Sequence, residues 1–158
     1  MTPDPRFRTI GDWSRPGRAT GASVLVEDQH GRLLMQLRDD RPSIIAPGLW
    51  CFFGGAVEPG EDVEAAAMRE FEEETGLRFG RGELQPFVRV VTEERNWTRL
   101  FIFRARRPID PSEVRLGEGA GMALLTPAQA LTYPLVPPLS SVIEAHCADP
   151  LPVSAGPR

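Results

Sequence analysis

The sequence predicts one domain of the α/β (α+β) class, because segments with strand-like alternation flank a helix that has clear signals at both ends. Residues 22–28 and 32–38 are apolar stretches separated by the polar turn Gln29-His30-Gly31, and we expect them to form a two-stranded hairpin. Residues 62–75 consist mainly of strong helix formers. The length of 158 residues suits one compact domain, and the sequence contains no internal repeat or compositional break.

The helix is preceded by a short apolar segment and two glycines. Residues 49–53 are expected to form a strand that ends at Gly54-Gly55. Asp62 is a good N-cap residue, and Gly76 is a residue type that commonly ends a helix. The segment therefore predicts a strand, a loop and a helix in succession.

The second half of the chain predicts two more strands and two helices. Residues 83–93 and 96–106 are rich in Val, Phe, Thr and Ile, and we expect them to pair with each other. Thr126-Pro127 carries the signature of a helix start, and a last helix is expected over about residues 140–146.

Composition and charge exclude several classes of function. A net charge of −4 argues against a broad basic surface for nucleic acid and favours a small substrate. All 18 basic residues are Arg, so a lysine amine cannot carry the chemistry. Cys51 and Cys147 lack the spacing of a metal site or a disulfide framework and are expected to be reduced, packed thiols. No apolar run approaches the roughly 18 residues of a membrane span, and no signal peptide is visible, so we expect a cytoplasmic protein without membrane contact.

The most informative stretch is GGAVEPGEDVEAAAMREFEEETGL, residues 54–77. Helical spacing places Glu70, Glu73 and Glu74 on one face, where like charges repel. They also lie in the last turns, where the helix dipole favours cations, so a sequence selected only for stability would avoid them. Oxygen-only carboxylate clusters suit Mg²⁺ or Mn²⁺. The alternative is an ordinary solvated acidic face.

Residues 55–77 resemble the Nudix box, G-x5-E-x7-R-E-U-x-E-E-x-G-U, at every defined position. The resemblance implies the Nudix fold, in which a mixed β-sheet is sandwiched between helices (α/β/α). It also implies Mg²⁺-dependent hydrolysis, with Mn²⁺ as a possible substitute, of a nucleoside diphosphate linked to a further group, with water as nucleophile. By position, Glu70, Glu73 and Glu74 are expected to be metal-binding and catalytic carboxylates, and the carbonyl of Gly55 a further ligand.

The same resemblance assigns supporting roles and domain limits. Glu61 is expected to orient Arg69 or a metal-bound water, and Arg69 to hold the glutamate-bearing helix as an ion-pair partner. We expect an N-terminal extension over residues 1–19, a Nudix hydrolase domain over 20–148 and a flexible tail over 149–158.

Three residues outside the box are further candidates. Glu118 lies between two glycines and is preferred over Glu93 as a general base. Arg38 ends the second strand of the expected hairpin and could bind a phosphate. Trp50 could stack on a base or pack in the core.

Several functions agree with the box. Similarity of residues 34–42, 47–50 and 53–55 to Nudix members associated with nucleoside diphosphate sugars favours that substrate class. The alternatives are a nucleoside triphosphate (oxidised nucleotide) pyrophosphohydrolase and a non-catalytic nucleotide sensor. The isoprenoid isomerase branch lacks this complete box. A homodimer is expected by analogy only.

Overall fold

The structure is a computed structural model that describes residues 4–14, 17, 19–93 and 98–152. Its elements in chain order are β1 Arg8–Thr9, β2 Ala19–Leu25, β3 Leu33–Leu37, β4 Trp50–Cys51, β5 Phe53–Ala56, α1 Val63–Thr75, β6 Leu84–Thr92, β7 Thr98–Ala105, a 3₁₀ turn Pro111–Glu113, β8 Gly121–Leu125, α2 Pro127–Ala130 and α3 Leu139–Ala148.

The strands form two sheets. The larger sheet is mixed and has the order β1-β6-β7-β2-β5, with β2 parallel to β7 and antiparallel to β5. The smaller sheet has the order β4-β3-β8 and is antiparallel. Helix α1 packs on one face of the larger sheet, whereas α3 and the smaller sheet share the apolar cluster on its other face. The expected α+β class with a mixed sheet is confirmed.

The predicted hairpin of residues 22–28 and 32–38 is confirmed only next to its turn. Asp28 N–H donates to Arg32 O, Glu27 forms a bridge with Leu33, and Leu34 N–H donates to Val26 O, whereas β2 and β3 themselves lie in different sheets. The reason is that β2 is buried on both faces and pairs along both edges with β5 and β7. No edge of β2 therefore remains for β3 within the larger sheet.

The expected end of a strand at Gly54 is wrong. The segment switches sheets at Phe52, and Gly54 and Gly55 lie inside β5. A side chain at Gly54 would overlap Ala22 O in the neighbouring strand. These glycines therefore permit a close backbone approach within the sheet.

The other predicted elements are confirmed. Asp62 caps α1 by accepting the N–H groups of Glu64 and Ala65, and Gly76 ends it with a left-handed φ of 74°. β6 pairs with β7 in antiparallel orientation, although Glu94 and Arg95, which were expected to join them, lie outside the described residues. α2 and α3 form where expected.

Two further strands had no counterpart in the sequence analysis. β8 over Gly121–Leu125 pairs along the whole of β3. β1 pairs in parallel with β6, and the ring of Phe7 packs edge-on against Phe101 and Phe103. The described part of the expected N-terminal extension is therefore attached to the larger sheet.

Asp28 holds the turn between β2 and β3 and generates a stability prediction. Its Oδ1 accepts the N–H groups of His30 and Arg32, both at 2.9 Å, and its Oδ2 accepts Arg32 Nε at 2.7 Å. Burial alone would raise the pKa of Asp28, but the bonds from Arg32 and His30 outweigh burial and lower it below 3.8. A lowered pKa in the fold means that the ionised group stabilises the protein above about pH 4, and that this contribution is lost as pH falls.

We expect Asp28→Asn to reduce the free energy of unfolding by about 1–3 kcal/mol at pH 7, because the amide loses the charged acceptor. Urea denaturation at pH 7 and pH 3 measures the difference, which should shrink at pH 3. The exposed pair of Asp39 with Arg41 provides a control, and Asp39→Asn should change stability by less than about 0.5 kcal/mol. Equal stability of Asp28→Asn and wild type at pH 7 would contradict the assignment.

Candidate active site

Helix α1 places three carboxylates next to β5, in three different environments. Glu74 is only 5% exposed, and its Oε2 accepts the N–H of Gly54 at 3.0 Å. The side chain of Glu70 is largely buried and accepts Arg69 Nη1 at 2.7 Å. The side chain of Glu73 is 61% exposed, with its Oε1 3.7 Å from Arg69 Nη1. The predicted face thus contains one buried, one paired and one exposed carboxylate.

The buried carboxylate is electrostatically unfavourable in its ionised form. Burial raises the pKa of Glu74 to about 8; the bond from Gly54 N–H opposes this shift, and the charges of Glu118 and Glu70 add to it. A cation at this position would relieve both the desolvation and the like-charge repulsion.

Arg69 and Glu61 form the ion pair expected from the sequence. Arg69 Nε donates to Glu61 Oε1 at 2.8 Å and Nη2 donates to Oε2 at 2.9 Å, a two-bond arrangement that fixes the guanidinium plane. Nη2 also donates to Ala56 O at 3.0 Å. The bonds from Arg69, followed by the bond from Glu58 N–H to Oε2, lower the pKa of Glu61 to about 2. Arg69 therefore connects the box loop, β5 and Glu70.

The donor set fits a hard divalent cation, although the carboxylates do not converge into a finished cage. Among residues 4–14, 17, 19–93 and 98–152, no group of three or more His, Cys, Asp or Glu side chains is arranged to hold a metal ion. Instead, Arg69 donates a hydrogen bond to Glu70, and Gly54 N–H donates one to Glu74. A side chain at Gly55 would overlap the carboxyl group of Glu70, so the strand backbone leaves space for that group. Oxygen donors in this arrangement suit Mg²⁺ or Mn²⁺.

The loop that carries Glu118 is attached to both α1 and β3. Gly117 N–H donates to Glu74 O at 2.8 Å, and Ala120 N–H donates to Leu37 O at 2.9 Å. Glu118 and Glu74 line a small polar cavity of about 40 Å³ together with Arg38. The structure thus brings Glu118 to the box carboxylates. Glu93 is exposed beyond the end of β6 and does not line this cavity.

A larger cavity of about 240 Å³ lies beside β5 on the side of the smaller sheet. Its walls come from β2, β5, the segment after β3, the facing ends of β6 and β7, and the start of α3. The polar groups in these walls are hydroxyls and one guanidinium, and the rest of the lining is largely apolar. The lining residues include Thr20, Ser23, Arg38, Ala46, Phe52, Thr92, Thr98, Leu100, Val136 and Leu139. Such a lining suits a flat, mostly apolar group with a few polar atoms.

Comparison with known proteins identifies the family. The model of the NUDIX domain matches residues 17–145. The chain belongs to the Nudix family. Members of this family are hydrolases of phosphoric anhydride bonds, and the resemblance drawn from the box is confirmed.

The similar proteins include curated sequences and solved structures. The nucleoside triphosphatase NudI of Escherichia coli O1:K1 is 40% identical over 64 residues, which are 40% of this chain and 44% of that protein. The chain thus matches less than half the length of the curated relatives. The MutT protein of Methanosarcina mazei Go1 has a TM-score of 0.70 at 19% identity, covering 92% of this chain and 97% of that one. The E. coli ORF135 protein has a TM-score of 0.66 at 25% identity, covering 92% and 94%.

The other two predicted residues of this Nudix domain, Arg38 and Trp50, differ in their position relative to the two cavities. Arg38 lines both cavities, and its Nε donates to Ile45 O at 2.7 Å. Trp50 lines neither cavity and packs edge-on against Tyr133, with 5.5 Å between ring centroids. Trp50 is therefore not brought together with the carboxylates.

The two cysteines differ. Cys51 is buried as expected, and burial raises the pKa of its thiol to about 11. Cys147 is exposed, so the expectation that it is packed is wrong. It lies on the solvent side of α3, whereas Val142, Ile143 and Ala145 of that helix are buried.

Apart from Arg38 and Gly55, the sequence analysis did not find the residues of the larger cavity. They come from segments far apart in the chain, and only the small side chains at the start of β2, Ala19-Thr20-Gly21, hint at an open space beside that strand. Among the described residues, no helix has the length and apolarity needed to cross a membrane.

The buried charge of Glu74 leads to a prediction about stability and metal. Because its pKa is raised in the fold, the stability that this group contributes is full below about pH 4.5 and is lost as pH rises through about 8. Without metal at pH 9, Glu74→Gln should therefore raise the free energy of unfolding, by about 1–3 kcal/mol. At pH 5 the difference should be smaller.

Addition of Mg²⁺ should make the wild type more stable than Glu74→Gln, because the wild type gains stability by binding the ion and the variant gains less. Urea denaturation with EDTA or Mg²⁺ measures both effects. Glu72→Gln on the same helix is the matched control, since Glu72 is exposed and pairs with Arg78. Equal stabilisation of wild type and Glu74→Gln by Mg²⁺ would remove Glu74 from the metal site.

Proposed function

We propose that this Nudix domain is a Mg²⁺-dependent pyrophosphohydrolase that cleaves a phosphoric anhydride bond of a nucleoside triphosphate. The main support for the proposal is that β5 borders both parts of the site. Its Gly54 contacts the carboxylate of Glu74, and Gly54, Gly55 and Ala56 also line the larger cavity. A nucleoside in that cavity would extend its phosphates toward α1.

The two cavities favour a triphosphate over a sugar nucleotide. The larger cavity has the size for one nucleobase, whereas the polar cavity beside Glu74 and Glu118 measures only about 40 Å³. A compact phosphate group fits that second space more easily than a hexose. The name of a similar protein, nucleoside triphosphatase NudI, agrees with this choice.

Residues of this chain would have distinct roles in the reaction. Glu70, Glu73, Glu74 and the carbonyl of Gly55 would hold Mg²⁺, which when bound neutralises charge on the diphosphate and lowers the pKa of a bound water. Glu118 would accept a proton from the attacking water.

Two arginines would support this machinery. Arg69, fixed by Glu61 and Ala56 O, keeps Glu70 oriented toward the strand. The guanidinium of Arg38 would bind a phosphate oxygen, since it lines both cavities.

A nucleoside diphosphate sugar is the second candidate. Asp39 and Arg41 line the polar cavity beside Glu118, and such groups can bind sugar hydroxyls. The non-catalytic sensor has less support, because all three box carboxylates are present at α1. The expected homodimer stays a prediction by analogy.

Product analysis tests the choice of substrate. With Mg²⁺ and a panel of nucleoside triphosphates and sugar nucleotides, we expect release of pyrophosphate and a nucleoside monophosphate. Anion-exchange chromatography of the products measures this directly. Release of a sugar phosphate without turnover of triphosphates would establish the second candidate, and nucleotide binding without any turnover would favour the sensor.

The exposed carboxylate of the box tests the catalytic proposal. Glu73→Gln should lower kcat by about 100-fold or more, because a ligand or proton-accepting group is lost, while the circular dichroism spectrum remains that of the wild type. Glu72→Gln, which changes the charge of the same helix by the same amount, should retain wild-type kcat. Wild-type turnover of Glu73→Gln would place the site elsewhere.

A further inference from the structure

Gln36 is a buried polar residue that lines the polar cavity beside Glu74 and Glu118 and has no role in the reaction described above. Its side chain lies in β3, and the residue is 3% exposed. Nε2 donates to the backbone carbonyl of Glu118 at 3.0 Å, and Oε1 accepts from Cys51 Sγ at 3.5 Å. Burial of an amide costs free energy unless its hydrogen bonds are satisfied. The two contacts explain how this position tolerates glutamine.

The bond to Glu118 is placed between two backbone anchors of the same loop. On one side Gly117 N–H is bound to Glu74 O, and on the other Ala120 N–H is bound to Leu37 O. Gln36 contacts the residue between these anchors, which is the one whose carboxylate is a candidate for the reaction. The amide thus fixes the peptide plane that carries Glu118.

The loop also packs tightly against this amide. Gly119 has a φ of +99°, and a Cβ atom there would lie 2.9 Å from Gln36 Nε2 and 2.9 Å from Leu37 O. Gly117 is equally constrained, since a Cβ atom would overlap Glu73 O. The glycines on both sides of Glu118 allow the loop to lie directly on β3 and α1.

We propose that Gln36 is a positioning residue, which holds Glu118 opposite Glu74 by fixing the backbone of residues 117–119. The proposal rests on the function proposed above. Glu118 and Glu74 line the same small polar cavity, which agrees with the placement. A displacement of about 1 Å in a reacting group can cost on the order of 100-fold in rate, so the loop position matters for kcat.

Hydrogen exchange tests the anchoring without any substrate. Gln36→Met keeps the size of the side chain and removes both hydrogen bonds. Mass spectrometry should show faster exchange in residues 117–120 of this variant, by about tenfold, with unchanged exchange in α1. Unchanged exchange in residues 117–120 would overturn the proposal.

Kinetics test the consequence of the anchoring. Gln36→Met should lower kcat by about tenfold with KM within twofold of the wild type, since the variant keeps the size of the side chain and leaves Arg38, the proposed phosphate-binding group, in place. Gly119→Ala should give the same pattern, because it displaces the loop from the other side. Gln85→Leu is the matched control: it removes an amide that binds Arg104, outside both cavities near Glu74, and should leave kcat unchanged.

A double-mutant cycle separates positioning from general damage to the fold. In a Glu118→Gln background, Gln36→Met should cause no further loss of kcat, because its effect acts through Glu118. Multiplicative losses would overturn the proposal. If the wild type turned over no nucleotide, the proposed function would fail, whereas the exchange result would still decide whether Gln36 holds the loop.

Discussion

The close approach of β5 to α1 is the constraint on which the site depends. Gly54 and Gly55 have no side chains, and any Cβ atom there would overlap the adjacent strand or the carboxyl group of Glu70. The strand backbone can therefore donate Gly54 N–H to Glu74. Beside Glu74 on the helix surface, Phe71 is fully buried in the core, with its ring edge-on to that of Phe53 in β5, and contributes favourable burial of apolar area. The core thus holds the helix where its carboxylates meet the strand.

The negative charges at the contact between β5 and α1 exceed the positive ones. Arg69 is shared between Glu61 and Glu70, whereas Glu74 has a backbone N–H as its hydrogen-bond donor and lies near the charges of Glu118 and Glu70. Such an arrangement lowers stability without a cation, and it is the reverse of what the dipole at the end of α1 favours. A site that gives up folding free energy in this way is typical of function.

The local features could be predicted from the sequence, and the nonlocal ones could not. Asp62, Gly76 and the 3.6-residue period of α1 act within a few residues, so the helix and its acidic face were predictable. The pairing of β2 with β7 joins residues far apart in sequence, and turn chemistry at Asp28 gave no sign of it. Gly54 was predicted to end a strand, because Ala22 O, which excludes a Cβ atom at that position, comes close to it only in the fold. For the same reason the role of Gln36 could not be predicted, because the carbonyl that it binds belongs to Glu118, which is far away in the sequence.

The shared strand also explains how one scaffold can separate chemistry from substrate choice. The box residues contact one side of β5, whereas the larger cavity on its other side is completed by Thr92, Thr98 and Val136 near the ends of other elements. Substitutions at those positions can reshape the cavity while the backbone of β5, held by Ala22 and Glu74, stays fixed. In the proposed function, the phosphates and the nucleoside would both be located relative to the same four-residue strand, so a change in the cavity would not move the carboxylates. Substrate preference would then be a property of the cavity rim, and the reaction class would be a property of the contact between β5 and α1.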